Sequence, residues 1–327
     1  MPQLLNLTDL KPNRISTNLY DYTMMITAPS GWGKTPFIAE LFGEDALILA
    51  FENSAKGIEG SYVVNIDSYN TLNFYINQLK DPQLKDKFKV IVIDTLWMFD
   101  YVCENAVLDQ YGKDIISDCL AWNKGYKVKD KKAIDILNEI KGMGYGICYV
   151  CHPTEQKVQV SAEKTIIKYI PKVSDRMKDL IVPEIDIKVF GWYDSNGNRV
   201  IHTQNSPYFE ARCRVGNMDA VIPCNAEIFK QKFKEGIEKK VTNKELLVDK
   251  IENVHTVQAK HGDFKTLLAQ VSELGNKLLE QGKTESINIL NKELGTNSEG
   301  KQRTLQDLDE SMVGVLEVIL TKLKTLE

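Results

Sequence analysis

The stretch TMMITAPSGWGKT, residues 23–35, constrains the fold more strongly than any other part of this 327-residue chain. An apolar run leads into a loop with two glycines, a lysine and a threonine, and a helical pattern follows Gly33. In this order of strand, loop and helix, backbone N–H groups can surround phosphate groups while the helix directs its positive end at them. The stretch therefore predicts a phosphate-binding loop, or P-loop.

The residues of this loop have separate expected roles. Lys34 is expected to reach the β- and γ-phosphates of ATP, and Thr35 is expected to bind Mg²⁺. The loop departs from the pattern GxxxxGK[ST] at its first position, where Ala28 replaces glycine. Pro36 falls in the first helical turn, where a missing N–H costs little. The predicted nucleotide-binding set is Ala28, Pro29, Ser30, Gly31, Trp32, Gly33, Lys34, Thr35 and Pro36.

Two acidic residues follow other apolar runs. Asp94 ends KVIVID and is expected to hold Mg²⁺ through water, opposite Thr35. Glu52 follows ALILAF, and ligands of parallel sheets bind at the carboxyl ends of strands. Glu52 is therefore the candidate general base that orients the attacking water. A surface glutamate without a role is the alternative.

The string CYVCH, residues 148–152, fits the c-type haem attachment pattern C-x-x-C-H. Its cysteines lie in GICYVC, a continuous apolar run that is typical of a buried parallel strand. The chain begins without an evident export signal, so we expect reduced cysteines and no haem. His152 then follows a strand beside the phosphate site. It is a candidate catalytic sensor of the γ-phosphate, with a purely structural histidine as the alternative.

Strand and helix patterns alternate between residues 20 and 190, which predicts βαβ units: a mainly parallel twisted sheet with helices on both faces. Period-two patterns at 156–170 and 188–204 predict antiparallel hairpins on its C-terminal side. A charged helical pattern with Leu267, Val271, Leu274 and Leu278 predicts a small all-α module, with a last helix from about Thr304. We therefore expect an ATPase core over 1–235 and a helical module over 236–327.

Composition limits the classes of function. The net charge of −4 excludes a uniformly basic nucleic-acid-binding surface. The longest apolar runs are far shorter than the roughly 20 residues that span a bilayer, so no membrane association is expected. We expect a cytoplasmic protein.

A local basic surface is still possible. The segment AWNKGYKVKDKK, residues 121–132, interleaves lysines with aromatic residues, which could contact phosphates and stack on bases. The hairpin over 156–170 adds further lysines. A solvated lysine-rich face is the equally weighted alternative. The candidate DNA-binding residues are Trp122, Lys124, Tyr126, Lys127, Lys129, Lys157, Lys164 and Lys168.

Over residues 20–225 the chain resembles the RecA-like P-loop ATPases, and in particular phage proteins of the Sak type, associated with single-strand annealing and recombination. The resemblance is carried by APSGWGKT, FEN (51–53), VIDTL (92–96), VCHPTEQ (150–156) and SPYFEARCR (206–214). It implies ATP and Mg²⁺ as cofactors and single-stranded DNA as a partner. It also implies a homo-oligomer, a possible single-strand binding protein or replication partner, and a nucleotide-binding arginine at Arg212 or Arg214.

Two other functions remain open on the same residues. One is a helicase loader or ring-type DNA motor built on this fold. The other is an ATP-dependent oligomeric scaffold with little turnover. The helical tail is as consistent with self-association as with a specific binding role.

Overall fold

The computed structural model describes residues 12–52, 57–249, 264–295, 301–308, 313–324 and 326. Contacts divide the chain into two compact units, one formed by residues 5–256 and the other by residues 257–327 with 1–4. In the described parts no helix is both long enough and apolar enough to cross a bilayer.

The strands, in chain order, are β1 (Ile15–Ser16), β2 (Met24–Thr27), β3 (Ala46–Ala50), β4 (Tyr62–Asn65), β5 (Val90–Asp94), β6 (Gly146–Cys151), β7 (Pro153–Gln159), β8 (Thr165–Pro171), β9 (Ile187–Tyr193), β10 (Arg199–His202), β11 (Arg212–Cys213), β12 (Val221–Pro223) and β13 (Leu247–Val248). The helices are α1 (Lys34–Phe42), α2 (Tyr69–Gln78), α3 (Pro82–Lys87), α4 (Leu96–Tyr111), α5 (Lys124–Gly142), α6 (Asp175–Ile181), α7 (Ala226–Lys240), α8 (Phe264–Glu280), α9 (Glu285–Leu294) and α10 (Val313–Lys324).

The main sheet has the order β12-β10-β9-β2-β6-β5-β3-β4. The strands from β9 to β4 in this order pair in parallel. Strands β10 and β11 pair antiparallel with β9, and β12 pairs antiparallel with β10. The predicted α/β fold with a mainly parallel sheet is therefore confirmed. The predicted hairpins are present as β7 with β8 and β9 with β10.

Helices cover both faces of this sheet, because its central strands are apolar on both sides. On one face, α1 and α7 bury Phe37, Ile38 and Phe229 against β2 and β9. On the other face, α2, α4, α5 and α6 pack over residues such as Ile93 and Ile147. The cysteines of the CYVCH string, Cys148 and Cys151, are buried in β6. Burial raises the pKa of both thiols.

The apolar pattern of the sequence does not reveal helix α4. Its sixteen residues bury Phe99 and Cys103 against the sheet and Val107 against a separate small cluster with Ile116 and Cys119. Because apolar residues occur on more than one side of this helix, the one-sided stripe that reveals a surface helix is absent.

The expected domain boundary at residue 236 is wrong. It falls inside α7, whose Phe233 and Ile237 are buried in the core of the first unit. The second unit contains α8, α9 and α10, and Leu267, Val271, Leu316 and Ile319 form its core. Thr304 and Asp307 form a capping box, but it caps a short 3₁₀ turn over Leu305–Asp307 rather than the last helix predicted from about Thr304.

Lys129 is a buried structural residue, so its predicted contact with DNA is wrong. Only 1% of it is exposed. Its ammonium lies 2.8 Å from the Asp100 carboxylate and 3.7 Å from that of Asp130, and it donates a hydrogen bond to the Ser174 hydroxyl. Arg176 also donates to Asp130. These contacts link α4, α5 and the start of α6.

We therefore expect Lys129→Ala to lower the free energy of unfolding by about 3–5 kcal/mol, because Asp100 would remain buried without its partner. Urea denaturation of the full chain measures this. Lys230→Ala is the matched control, because Lys230 pairs with Glu227 on the exposed surface of α7 and such pairs contribute about 0–1 kcal/mol. Equal, small effects of both substitutions would contradict the structural role of Lys129.

Candidate nucleotide-binding site

Four neighbouring parallel strands bring the predicted site residues together. The strands lie in the order β3-β5-β6-β2, and their register aligns Ala50 with Asp94, Asp94 with Val150, and Thr27 with Cys151. Their carboxyl ends therefore form one edge of the sheet. Glu52, Asp94, His152 and the loop that begins at Ala28 follow or end these strands, so the strand-end rule groups them correctly.

The loop between β2 and α1 is shaped by two glycines. Gly31 has φ of 74° and Gly33 has φ of 97°, both in the left-handed region that glycine enters without steric cost. Gly33 is also the N-cap of α1, where no side chain caps the helix. The first N–H groups of a helix have no partner within the helix, so this terminus can donate to an anion.

The Lys34 side chain is folded back onto the loop. Its ammonium donates to the carbonyl oxygens of Ala28 and Pro29 at 2.9 and 3.0 Å, and it lies 3.3 Å from His152 Nδ1. Burial lowers the pKa of this lysine, partly opposed by the charge of Asp94. Among the described residues no carboxylate forms an ion pair with Lys34, so the direct contacts of its ammonium are with neutral acceptors.

Thr35 and Asp94 form a pair of oxygen ligands beside this lysine. The Thr35 hydroxyl donates to Asp94 Oδ2 at 2.7 Å, and both side chains are buried. A hydroxyl and a carboxylate next to a phosphate-binding loop are the donor set that fits Mg²⁺, which prefers a few oxygen ligands and retains waters. The residues present therefore fit a nucleotide phosphate with Mg²⁺, which would supply neutralisation of the phosphate charge.

Glu52 and His152 face each other across the site. Glu52 Oε2 lies 3.6 Å from His152 Nε2, and Glu52 Oε1 accepts a hydrogen bond from the Thr95 hydroxyl at 2.8 Å. Thr95 directly follows Asp94 in the stretch VIDTL (92–96), and the sequence pattern does not predict its role. The Thr95 contact holds one carboxylate oxygen of Glu52 and leaves the other towards His152.

The contacts of His152 fix the form of its ring. An ammonium has only hydrogen-bond donors, so the 3.3 Å contact assigns Nδ1 as the acceptor from Lys34 and places the proton of the neutral ring on Nε2, the nitrogen nearer Glu52. Burial and the positive charge of Lys34 lower the pKa of His152, which favours this neutral form. Lys34, His152, Glu52 and Thr95 thus form a continuous series of polar contacts from the phosphate loop to α4.

The structure does not bring Arg212 and Arg214 to the P-loop of the same chain. Arg212 pairs with Lys188 in β9, and Arg214 donates its backbone N–H to Asp186, which precedes β9. Because β9 is parallel to β2 with Lys188 opposite Met25, these arginines lie towards the amino ends of the strands. The position of Arg212 and Arg214 late in the sequence of the first unit does not show whether they lie at the amino or the carboxyl ends of the strands.

The remaining candidate DNA residues lie on two elements. Trp122 is 91% exposed just before α5, and Lys124 and Lys127 are exposed in its first turns. Tyr126 is half-buried against the small cluster that contains Val107. Lys157 and Lys164 are exposed on the hairpin of β7 and β8. Lys168 pairs with Glu210 at 3.1 Å.

We expect Lys34→Ala to weaken binding of a fluorescent ATP analogue by about 10- to 100-fold, because a charged hydrogen bond to phosphate contributes about 1.5–3 kcal/mol. Lys188→Ala is the matched control, because Lys188 is also a buried lysine but pairs with Glu210 away from the loop. Equal affinities of Lys34→Ala and the unchanged protein would contradict the assignment of the loop.

Comparison with known proteins agrees with this geometry. Residues 21–215 match the family described as AAA domain, and this range contains Lys34, Asp94 and His152. The chain is also similar to the SPbeta prophage-derived uncharacterized protein YorG of Bacillus subtilis (strain 168), with 25% identity over 296 residues, which cover 86% of each chain. The chain therefore belongs to the AAA domain family, as a nucleotide-binding ATPase with a P-loop.

Proposed function

We propose that this protein is a RecA-like phage ATPase of the Sak type, which hydrolyses ATP with Mg²⁺ and acts on single-stranded DNA in recombination and annealing or in replication. The observation that carries the proposal is the position of His152. It contacts the phosphate-binding lysine on one side and directly precedes an exposed, lysine-bearing hairpin on the other.

The hairpin of β7 and β8 is joined to the site at both of its ends. Pro153, its first residue, directly follows His152, and Lys172, just past its last residue, donates its backbone N–H to the His152 carbonyl at 2.7 Å. A change in the ring contacts of His152 therefore acts at the base of the hairpin. A ligand shifts a conformation only through contacts that differ between states, and Lys34 has such a contact to exchange.

In this proposal Lys34 leaves the Ala28 and Pro29 carbonyls and His152 for the β- and γ-phosphates. Glu52 accepts a proton from the water that attacks the γ-phosphorus, with the Thr95 hydroxyl holding its other oxygen, while the bond from the γ-phosphorus to the bridging oxygen breaks and ADP leaves. His152, released from Lys34, becomes free to contact the γ-phosphate. The N-terminus of α1 stabilises the phosphate charge throughout.

Because the net charge of the chain is negative, we propose that DNA contacts a local group of exposed lysines rather than the whole surface. Lys157 and Lys164 on the hairpin and Lys124 and Lys127 on α5 can track phosphates, and Trp122 can stack on a base. The proposal includes a homo-oligomer and a single-strand binding protein or replication partner. In an oligomer, Arg212 or Arg214 would serve a neighbouring copy rather than its own loop.

We expect single-stranded DNA to increase the ATPase rate of the full chain. Glu52→Gln should retain ATP binding but lose about 10²-fold or more in turnover, the usual contribution of a general base. The measurement is phosphate release with and without an oligonucleotide, for both proteins. An equal rate for Glu52→Gln would assign the base to another residue.

The same assay separates the candidate functions. Stimulated turnover with strand annealing and no unwinding supports the proposal. Stimulated turnover with unwinding, or with delivery of a helicase, would favour the loader or motor. ATP binding with negligible turnover at any DNA concentration would favour the scaffold and contradict the proposed enzymatic role.

We expect His152→Ala to reduce the coupling between nucleotide and DNA, while ADP affinity changes little because ADP has no γ-phosphate. Such couplings are typically about 1–3 kcal/mol. DNA affinity is measured with ADP and with a non-hydrolysable ATP analogue. His202→Ala is the matched control, since His202 is also a half-buried histidine of lowered pKa but packs against Phe209. A variant at position 152 that keeps the whole difference would make His152 structural.

A further inference from the structure

Trp32, in the middle of the phosphate-binding loop, is completely buried. Its indole N–H donates to the Trp192 carbonyl of β9 at 2.8 Å, and its ring packs edge-on against Phe37 of α1. A large apolar side chain in a loop that must remain open to a nucleotide is unexpected, because loops usually lie on the surface. Here the side chain points away from solvent and fastens the loop to the antiparallel part of the sheet.

Gly191 makes room for this tryptophan. A Cβ atom at position 191 would lie 2.7 and 2.8 Å from two atoms of the Trp32 ring and 2.9 Å from the Ala28 Cβ. Glycine within a strand often marks such a close approach. The same contact accounts for the alanine at the first position of the loop. The methyl group of Ala28 is completely buried beside Gly191. The absence of a side chain at Gly191 leaves space for this methyl group, which a glycine at the first position of the loop would lack.

Arg199, at the start of β10, holds the loop from the outside. Its guanidinium donates to the Trp32 carbonyl at 3.3 Å and lies where a side chain at position 33 would begin. Gly33 therefore has two reasons to be glycine: its positive φ and the approach of Arg199. The side chain of Arg199 is otherwise exposed.

We infer that the hairpin of β9 and β10 sets the shape of the phosphate-binding loop, with Trp32, Gly191 and Arg199 as positioning residues for the nucleotide. Trp32 and Gly191 position the loop backbone through the packing of the indole ring against the strand, and Arg199 does so through its hydrogen bond to the Trp32 carbonyl. Their contribution is to hold Gly31 and Gly33 in the left-handed conformation that turns N–H groups inwards. This inference rests on nucleotide binding by the loop and requires neither DNA nor hydrolysis.

The test is Gly191→Ala, whose added methyl group must displace Trp32. We expect the affinity for a fluorescent, non-hydrolysable ATP analogue with Mg²⁺ to fall by about 10- to 100-fold, since the loss of one hydrogen bond from the loop backbone to a charged phosphate has an effect of this size. Gly216→Ala is the matched control. Its Cβ would lie 2.9 Å from the backbone of Gly236 and Ile237, so it overpacks the same unit away from the loop. Both variants should melt at lower temperature, but only Gly191→Ala should lose affinity.

Two further variants separate positioning from general damage. Trp32→Phe removes the indole N–H and part of the ring, so Gly191→Ala combined with Trp32→Phe should bind the analogue more tightly than Gly191→Ala alone. Arg199→Ala should weaken binding several-fold with little change in melting temperature, whereas Arg14→Ala, which removes another exposed arginine, should change neither.

Unchanged analogue affinity in folded Gly191→Ala would overturn the inference, and Trp32 would then be ordinary core packing. Loss of affinity in Gly216→Ala to the same degree would also overturn it, because the effect would follow stability rather than loop shape. The unmodified chain is measured in parallel. If it fails to bind the analogue, the assignment of the loop fails, and this outcome is distinct from a failure of the hairpin's role.

Discussion

The parallel pairing of β3, β5, β6 and β2 determines where the polar groups of the site stand. Each strand is buried on both faces, so its polar residues can occur only where it ends. Four neighbouring carboxyl ends then present a carboxylate, a second carboxylate, an imidazole and an ammonium within one small region. Shifting one strand by one residue would turn its core side chains to the opposite face and dismantle the group.

The ammonium of Lys34 is the most constrained charge in this region. Burial disfavours its charged form, and its contacts are two carbonyl oxygens and an imidazole nitrogen rather than a carboxylate. Neutral acceptors compensate a buried charge less completely than an anion does. The charge of Asp94 acts on the ammonium without a direct ion pair, and a phosphate group at the loop would supply an anionic hydrogen-bond acceptor in direct contact with it. In the proposed mechanism, the exchange of acceptors also changes what His152 contacts, which would connect nucleotide binding to the neighbouring hairpin.

Much of this arrangement could be predicted from the sequence, because it depends on local order. The apolar runs gave the parallel strands, and the strand-end rule then grouped Lys34, Asp94, Glu52 and His152. The failures have a different origin. Lys129 resembles its exposed neighbours in sequence, and only its packing against Asp100 makes it structural. The contact of Arg199 with the loop depends on where the hairpin of β9 and β10 places Arg199 relative to Trp32, and no local sequence pattern encodes this distance.

The burial of Trp32 also has an optical consequence. The chain has four tryptophans, and Trp97 and Trp122 are exposed whereas Trp32 is fully enclosed. An enclosed indole emits at shorter wavelength than a hydrated one and is shielded from dissolved quenchers. The phosphate-binding loop thus contains its own fluorophore, so that movement of the loop changes a spectral signal that the exposed indoles do not share.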